Sequence, residues 1–383
     1  MGFIEALFQK FFPQKLPWLV AGIIVKYIID AMNKKPALED APTVRSSNPT
    51  DAKAALQPAA EETGKEFKDA LRAGKPKFGI FVNSHSPTVA EQVAHAGYDW
   101  LLVDCQHGPM DAITMSAMLC AIQNGGAKSM VRVAGYDDRN GIQQALDLGA
   151  NGILIPYINN AEEAAAGVSC CLYPFGKAGT RSVYFPQRSM NKQGLLGYAG
   201  GNNENVLIAL QVETADCIEN MEEICAVPRV DLLFLGQNDL CVSMGLFDGK
   251  YDFPDMYTSP ELQAATDKLI KCANEKDILL GMFQFGTDRV TEFLDKGFNF
   301  ISVGNDLHHM LTQNFAHKEA LVVAANKASG NKSWNPRHTN MPFGGGGALA
   351  GHNPTLDAPG TPSPQVSLAR KLLSQVKSEC ALC

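Results

Sequence analysis

Six polar side chains end or follow apolar stretches of the sequence, at points where a strand is predicted to stop. They are Asp104, His107, Arg132, Gln211, Glu213 and Asp239. Ionisable and amide groups are costly to bury unless they converge on a ligand or on each other. Carboxylates, an imidazole and a guanidinium can together bind a metal ion, move a proton and hold an anion. The sequence therefore predicts one catalytic site built from these residues.

Glu213 and Asp239 are the predicted metal ligands. Both supply hard oxygen atoms, and Mg²⁺ commonly takes one or two carboxylates with water and substrate oxygens completing its shell. We expect Mg²⁺ first, with Mn²⁺ or Co²⁺ as alternative divalent ions. Taken alone, Asp239 could instead cap the N-terminus of a helix. Two carboxylates at neighbouring strand ends favour the metal site.

The other four side chains are predicted to move a proton and hold the substrate. Asp104 stands three residues before His107, so its carboxylate can hold one imidazole nitrogen and leave the other as a proton acceptor. A lone histidine would more often be structural. Arg132 offers a planar fork that matches a carboxylate. Gln211 faces the same way as Glu213, because residues two apart share one face of a strand.

Short apolar runs alternate with amphipathic stretches through the middle of the chain, as in parallel strands joined by crossover helices. Strands are predicted at residues 78–83, 100–104, 129–133, 152–156, 206–213, 232–236, 278–283 and 300–304. Helices are predicted at residues 88–96, 111–124, 139–148, 161–171, 215–226, 260–275, 287–296 and 306–327. Strands this apolar must be covered on both faces, and eight such units over about 250 residues match a closed barrel.

The predicted fold class is therefore α/β, a (β/α)₈ TIM barrel over residues 75–328 with N- and C-terminal extensions. In such a barrel the functional groups lie at the C-terminal ends of the strands. The alternative is an open, doubly wound sheet. That fold would have a Gly-rich phosphate-binding turn after the first strand, and the Asn-Ser-His-Ser-Pro segment at residues 83–87 is not one.

Residues 1–74 form the predicted N-terminal extension. An apolar helix opens it, a Pro-containing linker covers residues 36–59, and a short helix spans roughly residues 60–73. The apolar run between Lys15 and Lys26 is shorter than the roughly 20 residues that span a bilayer. The opening helix is predicted to lie at a membrane surface, with packing on a partner subunit and a degenerate targeting segment as alternatives.

Residues 329–383 form a predicted flexible Gly/Pro-rich tail with a short C-terminal helix. The last four residues, Cys380 to Cys383, fit the loose pattern of a prenylation box, and a tail with free cysteines is the alternative. A net charge of −7 argues against a nucleic-acid partner. The 10 cysteines lack zinc or disulfide spacing. We therefore expect a cytoplasmic protein, with peripheral membrane contact through the termini as a further hypothesis.

Seven segments resemble the HpcH/HpaI aldolase family, which includes 2,4-dihydroxyheptenedioate aldolase, 2-keto-3-deoxy-rhamnonate aldolase and macrophomate synthase. The segments are DWLLVDCQHGPM (99–110), MVRV (130–133), GANGILIPYINNAEEA (149–164), YPFGKAGTRSV (173–183), LIALQVET (207–214), LFLGQNDLCVSMG (233–245) and FISVGNDL (300–307). Their order and spacing match the family across the whole predicted barrel.

The resemblance implies a class II aldolase, in which a divalent metal holds pyruvate or its enolate while the adjacent carbon–carbon bond is broken or made. It implies that Glu213 and Asp239 bind the metal and that Gln211 helps to position the 2-keto acid. Arg132 would stabilise the enolate, and His107, oriented by Asp104, would be the acid/base. The implied partners are a 2-keto acid, an aldehyde and further copies of the chain, in a hexamer of barrels with exchanged terminal helices.

Two departures from the family pattern concern the substrate. The family usually has Glu immediately before the catalytic His, where this chain has Gln106, and residues 176–179 are looser before Arg181. One alternative function is therefore a macrophomate synthase-like enzyme that decarboxylates oxaloacetate to an enolate for secondary-metabolite synthesis. A second alternative is a catalytically inactive barrel that serves as a membrane-tethered scaffold.

Overall fold

The computed structural model describes residues 62–177, 179–183, 194–247, 251 and 254–329. The predicted N-terminal apolar helix, the linker and the predicted tail with Cys380 lie outside these residues, so the division of the chain into three segments stays a prediction. Within the described part of the chain, no helix is long and apolar enough to cross a membrane.

Eight parallel strands form a closed barrel in the described residues, in which each strand pairs with its sequence neighbours and the last pairs with the first. The strands are β1 (Lys77–Val82), β2 (Trp100–Asp104), β3 (Lys128–Arg132), β4 (Gly152–Ile155), β5 (Leu207–Val212), β6 (Leu232–Leu235), β7 (Leu279–Gln284) and β8 (Phe298–Asn305). The predicted (β/α)₈ barrel is confirmed.

Helices connect the strands and cover the outside of the barrel. They are α1 (Gly64–Arg72), α2 (Pro87–His95), α3 (Ala112–Asn124), α4 (Arg139–Asp147), α5 (Ala161–Cys171), α6 (Gly194–Asn205), α7 (Ala215–Glu219), α8 (Met221–Cys225), α9 (Gln237–Ser243), α10 (Pro260–Glu275), α11 (Val290–Asp295) and α12 (Asp306–Ser329). Short 3₁₀ turns occupy Phe175–Lys177 and Asp255–Thr258. Side-chain caps begin many of these helices; Ser86, for example, accepts the backbone N–H of Val89.

The half of the barrel interior nearer the N-terminal ends of the strands is a packed apolar core. Trp100 and Phe300 stack there with ring centroids 3.9 Å apart, and the chain opposite Trp100 is Gly79, where a Cβ would lie 2.1 Å from the indole. Helix α1 closes the N-terminal end of the barrel, because Phe67 and Leu71 join the same core. A substrate must therefore enter from the other end.

Three differences from the predicted helices have local causes. The predicted helix at residues 215–226 is two helices, because Asn220 leaves helical geometry at φ −91° and ψ 16°. Helix α6 was not predicted, since its sequence GLLGYAGGNNEN is rich in Gly and Asn, which are poor helix formers. Helix α9 was not predicted either, and it contains Asp239 in its first turn.

Candidate active site

The alternation of side chains along the strands carries the polar residues to one end of the barrel interior. In β2, Trp100 and Leu102 point into the barrel core, so Asp104, two residues further on, follows the same face. In β3, Met130 points inward and Arg132 follows it in the same way. Asp104 and Arg132 are paired in register on neighbouring strands. Alternation along each strand and the register between the two strands therefore bring Asp104 and Arg132 together above the apolar core.

A cavity of about 700 Å³ opens at the carboxyl ends of the strands. Of the predicted site residues, five line it, namely Asp104, His107, Arg132, Gln211 and Asp239. Glu213 does not line the cavity but lies directly behind it, in contact with Gln211. The structure thus brings all six predicted residues to one end of the barrel.

Asp104 and Arg132 form a two-pronged buried ion pair. Arg132 donates from Nε to Asp104 Oδ1 at 2.9 Å and from Nη2 to Oδ2 at 2.6 Å. Asn83 donates its side-chain amide to Oδ2 at 2.8 Å. Burial disfavours the charged carboxylate, but the bonds and charge of Arg132 and the amide of Asn83 together lower the pKa of Asp104. Asp104 is therefore an ionised anchor for the arginine.

The contacts of Asp104 correct the predicted arrangement of His107. Asp104 Oδ1 accepts the backbone N–H of Gln106 at 3.1 Å and that of His107 at 3.4 Å. The carboxylate thus holds the backbone of the loop and the guanidinium of Arg132, and the imidazole of His107 is exposed toward the cavity. In this conformation Asp104 orients the loop that carries His107 and does not contact the ring, because Arg132 and Asn83 already occupy the carboxylate.

Glu213 is a buried carboxylate with both oxygens engaged. Oε1 accepts the backbone N–H of Tyr157 at 2.7 Å, and Oε2 accepts the side-chain amide of Gln211 at 2.5 Å. Burial and the nearby charge of Asp239 raise the pKa of Glu213 to about 7, although the hydrogen bonds oppose that rise. Glu213 and Asp239 are therefore electrostatically coupled, with one acid buried and the other exposed.

Gly236 allows the approach of the chain segment that carries Asp239. A Cβ at this position would lie 3.0 Å from Gln211 Nε2 and 3.2 Å from Glu213 Oε2. Gly236 also precedes α9 as its N-cap residue and supplies no side-chain cap. Asp239 is the third residue of that helix, so the alternative in which it caps the helix does not describe its position. The glycine lets the start of α9 lie directly against Glu213.

The described residues contain no group of three or more His, Cys, Asp or Glu side chains arranged to hold a metal ion. Glu213 and Asp239 are a pair of carboxylates, so a metal held by them would need water or substrate oxygens for the rest of its shell. This is the number of protein ligands that Mg²⁺ commonly takes. The donor set fits a hard divalent ion and would not fit a closed structural zinc site.

Two polar residues at other strand ends were missed from the sequence. Asn83 follows β1 and contacts Asp104, and Asp306 follows β8 and accepts the backbone N–H groups of Asn83 and Ser84 at 2.8 and 3.1 Å. Both interrupt an apolar run at a predicted strand end, so the rule that selected Asp104 could have selected them. They tie the loop after β1 to the site.

The far wall of the cavity comes from segments with no recognisable chemical motif. Tyr257 donates its hydroxyl to Asn238, the neighbour of Asp239. Arg289 donates to the backbone oxygen of Tyr257 at 3.4 Å and forms an ion pair with Glu292. These contacts join the loops after β6 and β7, and they depend on residues far apart in sequence.

Comparison with known proteins points to one family. A family model described as HpcH/HpaI aldolase/citrate lyase matches residues 77–312. A 2-dehydro-3,6-dideoxy-6-sulfogluconate aldolase from Pseudomonas putida is 34% identical over 63% of this chain and 91% of its own length. A 4-hydroxy-2-oxo-heptane-1,7-dioate aldolase from Klebsiella pneumoniae is 31% identical over 68% of this chain and 98% of its own. A solved HpcH/HpaI aldolase/citrate lyase family protein from Burkholderia cenocepacia is 28% identical, with a TM-score of 0.61 over 68% of this chain and 99% of that one.

Proposed function

The chain belongs to the HpcH/HpaI aldolase/citrate lyase family and is a carbon–carbon lyase, and from that premise we propose that it is a divalent-metal-dependent aldolase of 2-keto acids. It makes or breaks the carbon–carbon bond next to the enolate of pyruvate. One observation carries the proposal: an arginine, an imidazole, an amide and two carboxylates line one cavity, with a third carboxylate directly behind them. The names of the two relatives, which describe a 2-dehydro acid and a 2-oxo acid, support a 2-keto acid substrate.

Glu213 and Asp239 are the residues that would hold the metal. The Asp239 charge contributes to the raised pKa of Glu213, and a divalent cation would offset both carboxylates at once. We propose Mg²⁺, with Mn²⁺ or Co²⁺ as alternatives. When bound, such an ion acts as a Lewis acid that stabilises negative charge on the oxygens of the keto acid.

Arg132 and Gln211 are the proposed binding groups for the keto acid. Asp104 takes Nε and Nη2 of Arg132, which leaves Nη1 directed to the Gln211 side-chain oxygen at 3.5 Å. The ion pair fixes the plane of the guanidinium, so Nη1 is preorganised to donate to a substrate oxygen. We assign it to the negative charge that develops as the enolate forms.

His107 is the proposed acid/base. In the cleavage direction it accepts the proton of the substrate hydroxyl on C4, and the C3–C4 bond then breaks. The electron pair of that bond passes into the enolate, the aldehyde leaves, and C3 takes a proton to give pyruvate. The exposed imidazole at the cavity can reach a substrate because Asp104 fixes the loop beneath it.

The test is proton exchange at C3 of pyruvate in deuterated water, followed by NMR, because it needs no aldehyde. EDTA-treated protein should be inactive, and Mg²⁺, Mn²⁺ or Co²⁺ should restore exchange. Glu213→Gln should abolish the restored rate, whereas Glu219→Gln, the same change at an exposed position outside the cavity, should not. Undiminished exchange after removal of metal would refute the metal-dependent mechanism.

We also propose a homo-oligomer, which the family resemblance implies. Helix α12 supports this proposal, because Met310, Leu321 and Val323 are between 49% and 65% exposed on it, and contact with another copy would bury them. Light scattering of the full chain measures the assembly, and a monomer at micromolar concentration would contradict the proposal.

A further inference from the structure

The cavity has a second half that the proposed keto-acid site does not use. We call this half the outer chamber and define it by Asp255, Tyr257, Phe285, Asp288, Leu307 and Leu311, which all line the cavity. It lies beyond the inner residues Arg132 and Gln211 and is formed by the loops after β6, β7 and β8. A pyruvate unit seated at the inner residues leaves this chamber for the aldehyde that joins it.

The guanidinium groups of the cavity are already neutralised by carboxylates. Arg132 is held by Asp104 through two bonds. Arg289 is held by Glu292 in the same manner, from Nε to Oε2 at 2.9 Å and from Nη2 to Oε1 at 3.1 Å. Among the described residues that line the cavity, these are the two arginines, and no lysine accompanies them. The outer chamber therefore offers no uncompensated cation from the described chain to an anionic group.

The described residues that define the outer chamber carry two charges, and both are negative. Asp255 and Asp288 are exposed at the cavity, and neither forms a salt bridge within the described residues. Phe285, Leu307 and Leu311 supply an apolar surface beside them. The two carboxylates, which are unpaired within the described residues, repel an anionic tail, and the apolar surface beside them favours an apolar one.

We propose that the outer chamber accepts an aldehyde with an uncharged, predominantly apolar tail, and that Asp255 and Asp288 select against aldehydes with an anionic tail. The inference rests on the proposed aldolase function and names the class of its second substrate. At separations of about 7 Å and an effective dielectric near 40, repulsion by one carboxylate should lower kcat/KM for an anionic aldehyde by roughly threefold to tenfold. The effect should be smaller at high salt.

Two aldehydes of similar shape test the proposal: 4-oxobutanoate, which carries a carboxylate, and its methyl ester, which does not. The kcat/KM for condensation with pyruvate is measured for each with the metal-loaded, full-length protein at low salt. We expect the ester to be preferred by about tenfold or more. Asp255→Asn and Asp288→Asn should each reduce this preference by about threefold to tenfold. Asp267→Asn is the matched control, since Asp267 is exposed on α10 and does not line the cavity.

The results separate this inference from the proposed function. Pyruvate C3 exchange combined with equal or better use of 4-oxobutanoate would overturn the inference and leave the aldolase function intact. A preference for the ester that neither aspartate variant changes would overturn the assignment to Asp255 and Asp288. Absence of exchange with every metal would refute the function, and the inference with it.

Discussion

The two ends of the barrel each contain a buried ion pair, and the pairs differ in what surrounds them. At the closed end, Lys68 donates to Asp231 at 3.1 Å and to the backbone oxygen of Val206 at 3.0 Å. At the open end, Arg132 and Asp104 form their fork beside the cavity. Lys68 is 4% exposed and Arg132 is 7% exposed, so burial alone does not distinguish them.

The two pairs differ in whether the cation keeps an N–H donor that can bind a ligand. Asp231 also accepts the backbone N–H of Ile208, so the closed-end pair ties α1 to the strands, and neither of its residues lines the active-site cavity. At the open end, two nitrogens of Arg132 bind Asp104, and the third, Nη1, points into the cavity beside Gln211. Buried charge thus contributes to stability at one end and to a preorganised binding group at the other, and substitutions at the two ends should separate the two effects.

Arg132→Lys should have a large effect on activity and little effect on stability. Lysine keeps the charge but cannot bind Asp104 through two bonds and donate to a substrate at the same time. Removing one donor to a developing anion costs about 10²–10³ in rate, so pyruvate C3 exchange should fall by that factor. Thermal unfolding should show a much smaller loss. A variant with normal exchange would move Arg132 to the same structural role as Lys68.

Lys68→Met should give the opposite result, a loss of stability with kcat for pyruvate exchange unchanged. Removing Lys68 leaves the Asp231 carboxylate buried without its main partner, which costs about 3 kcal/mol. Arg72, with Nη2 at 3.8 Å from Asp231, limits the cost. The matched control is Lys65→Met, because Lys65 on the same helix pairs with Asp69 at the surface, where both side chains are at least half exposed. Equal Tm values for the two variants would contradict the prediction.

Glu213→Gln should stabilise the metal-free protein while abolishing activity. The pKa of Glu213 is raised from 4.5 to about 7, so between these values the folded protein binds more protons than the unfolded chain. The free energy of unfolding therefore falls as the pH rises through this window, and above the window the full loss of stability is present. By the size of the shift this loss of stability is roughly 3 kcal/mol.

The comparison of Tm for the two proteins at two pH values tests this cost. Gln resembles the protonated acid, so the EDTA-treated proteins should unfold at similar temperatures near pH 4.5. Above about pH 7 the Gln variant should unfold several degrees higher. Equal Tm at both pH values would mean that Glu213 is not strained by its surroundings. A stabilising change that removes activity is typical of a functional site and would not occur at the closed end.

The barrel could be predicted from the sequence because its strands are short apolar runs that are buried on both faces. Each predicted strand lies within two residues of the observed one at both ends. The strand-end rule also brought Asp104, Arg132 and Gln211 to one cavity. These residues could be selected because alternation along a strand is a local property of the sequence.

The outer chamber and the choice of hydrogen-bond partners could not be predicted in this way. Tyr257 contacts Asn238, and Arg289 contacts Tyr257. The local sequence predicts neither contact. Asp104 was assigned to the ring of His107 from their spacing, but Arg132 on the next strand competes for the same carboxylate. Pairing across strands decides such contacts, and a single stretch of sequence does not contain that information.

The last prediction concerns the loop that carries His107. The position of this loop depends on the close approach of Gly108 to His85. A Cβ on Gly108 would lie 1.8 Å from Nε2 of His85, so Gly108→Ala forces either the imidazole of His85 or the loop to move. The backbone of His85 has a φ of 53°, a left-handed conformation that few residues other than Gly, Asn and Asp adopt. Its Nε2 is buried, so the ring cannot turn into solvent at that point and the loop has to take up part of the displacement. We therefore expect the loop to shift and kcat to fall by about tenfold, since a displacement near 1 Å can cost that much or more.

Asn is shorter than His and tolerates the left-handed conformation, so His85→Asn alone should have little effect and should restore kcat when combined with Gly108→Ala. Gly200→Ala, at an exposed helical glycine with open space around it, is the control and should leave kcat unchanged. Normal activity of Gly108→Ala, or failure of His85→Asn to rescue it, would show that His85 does not set the position of the loop.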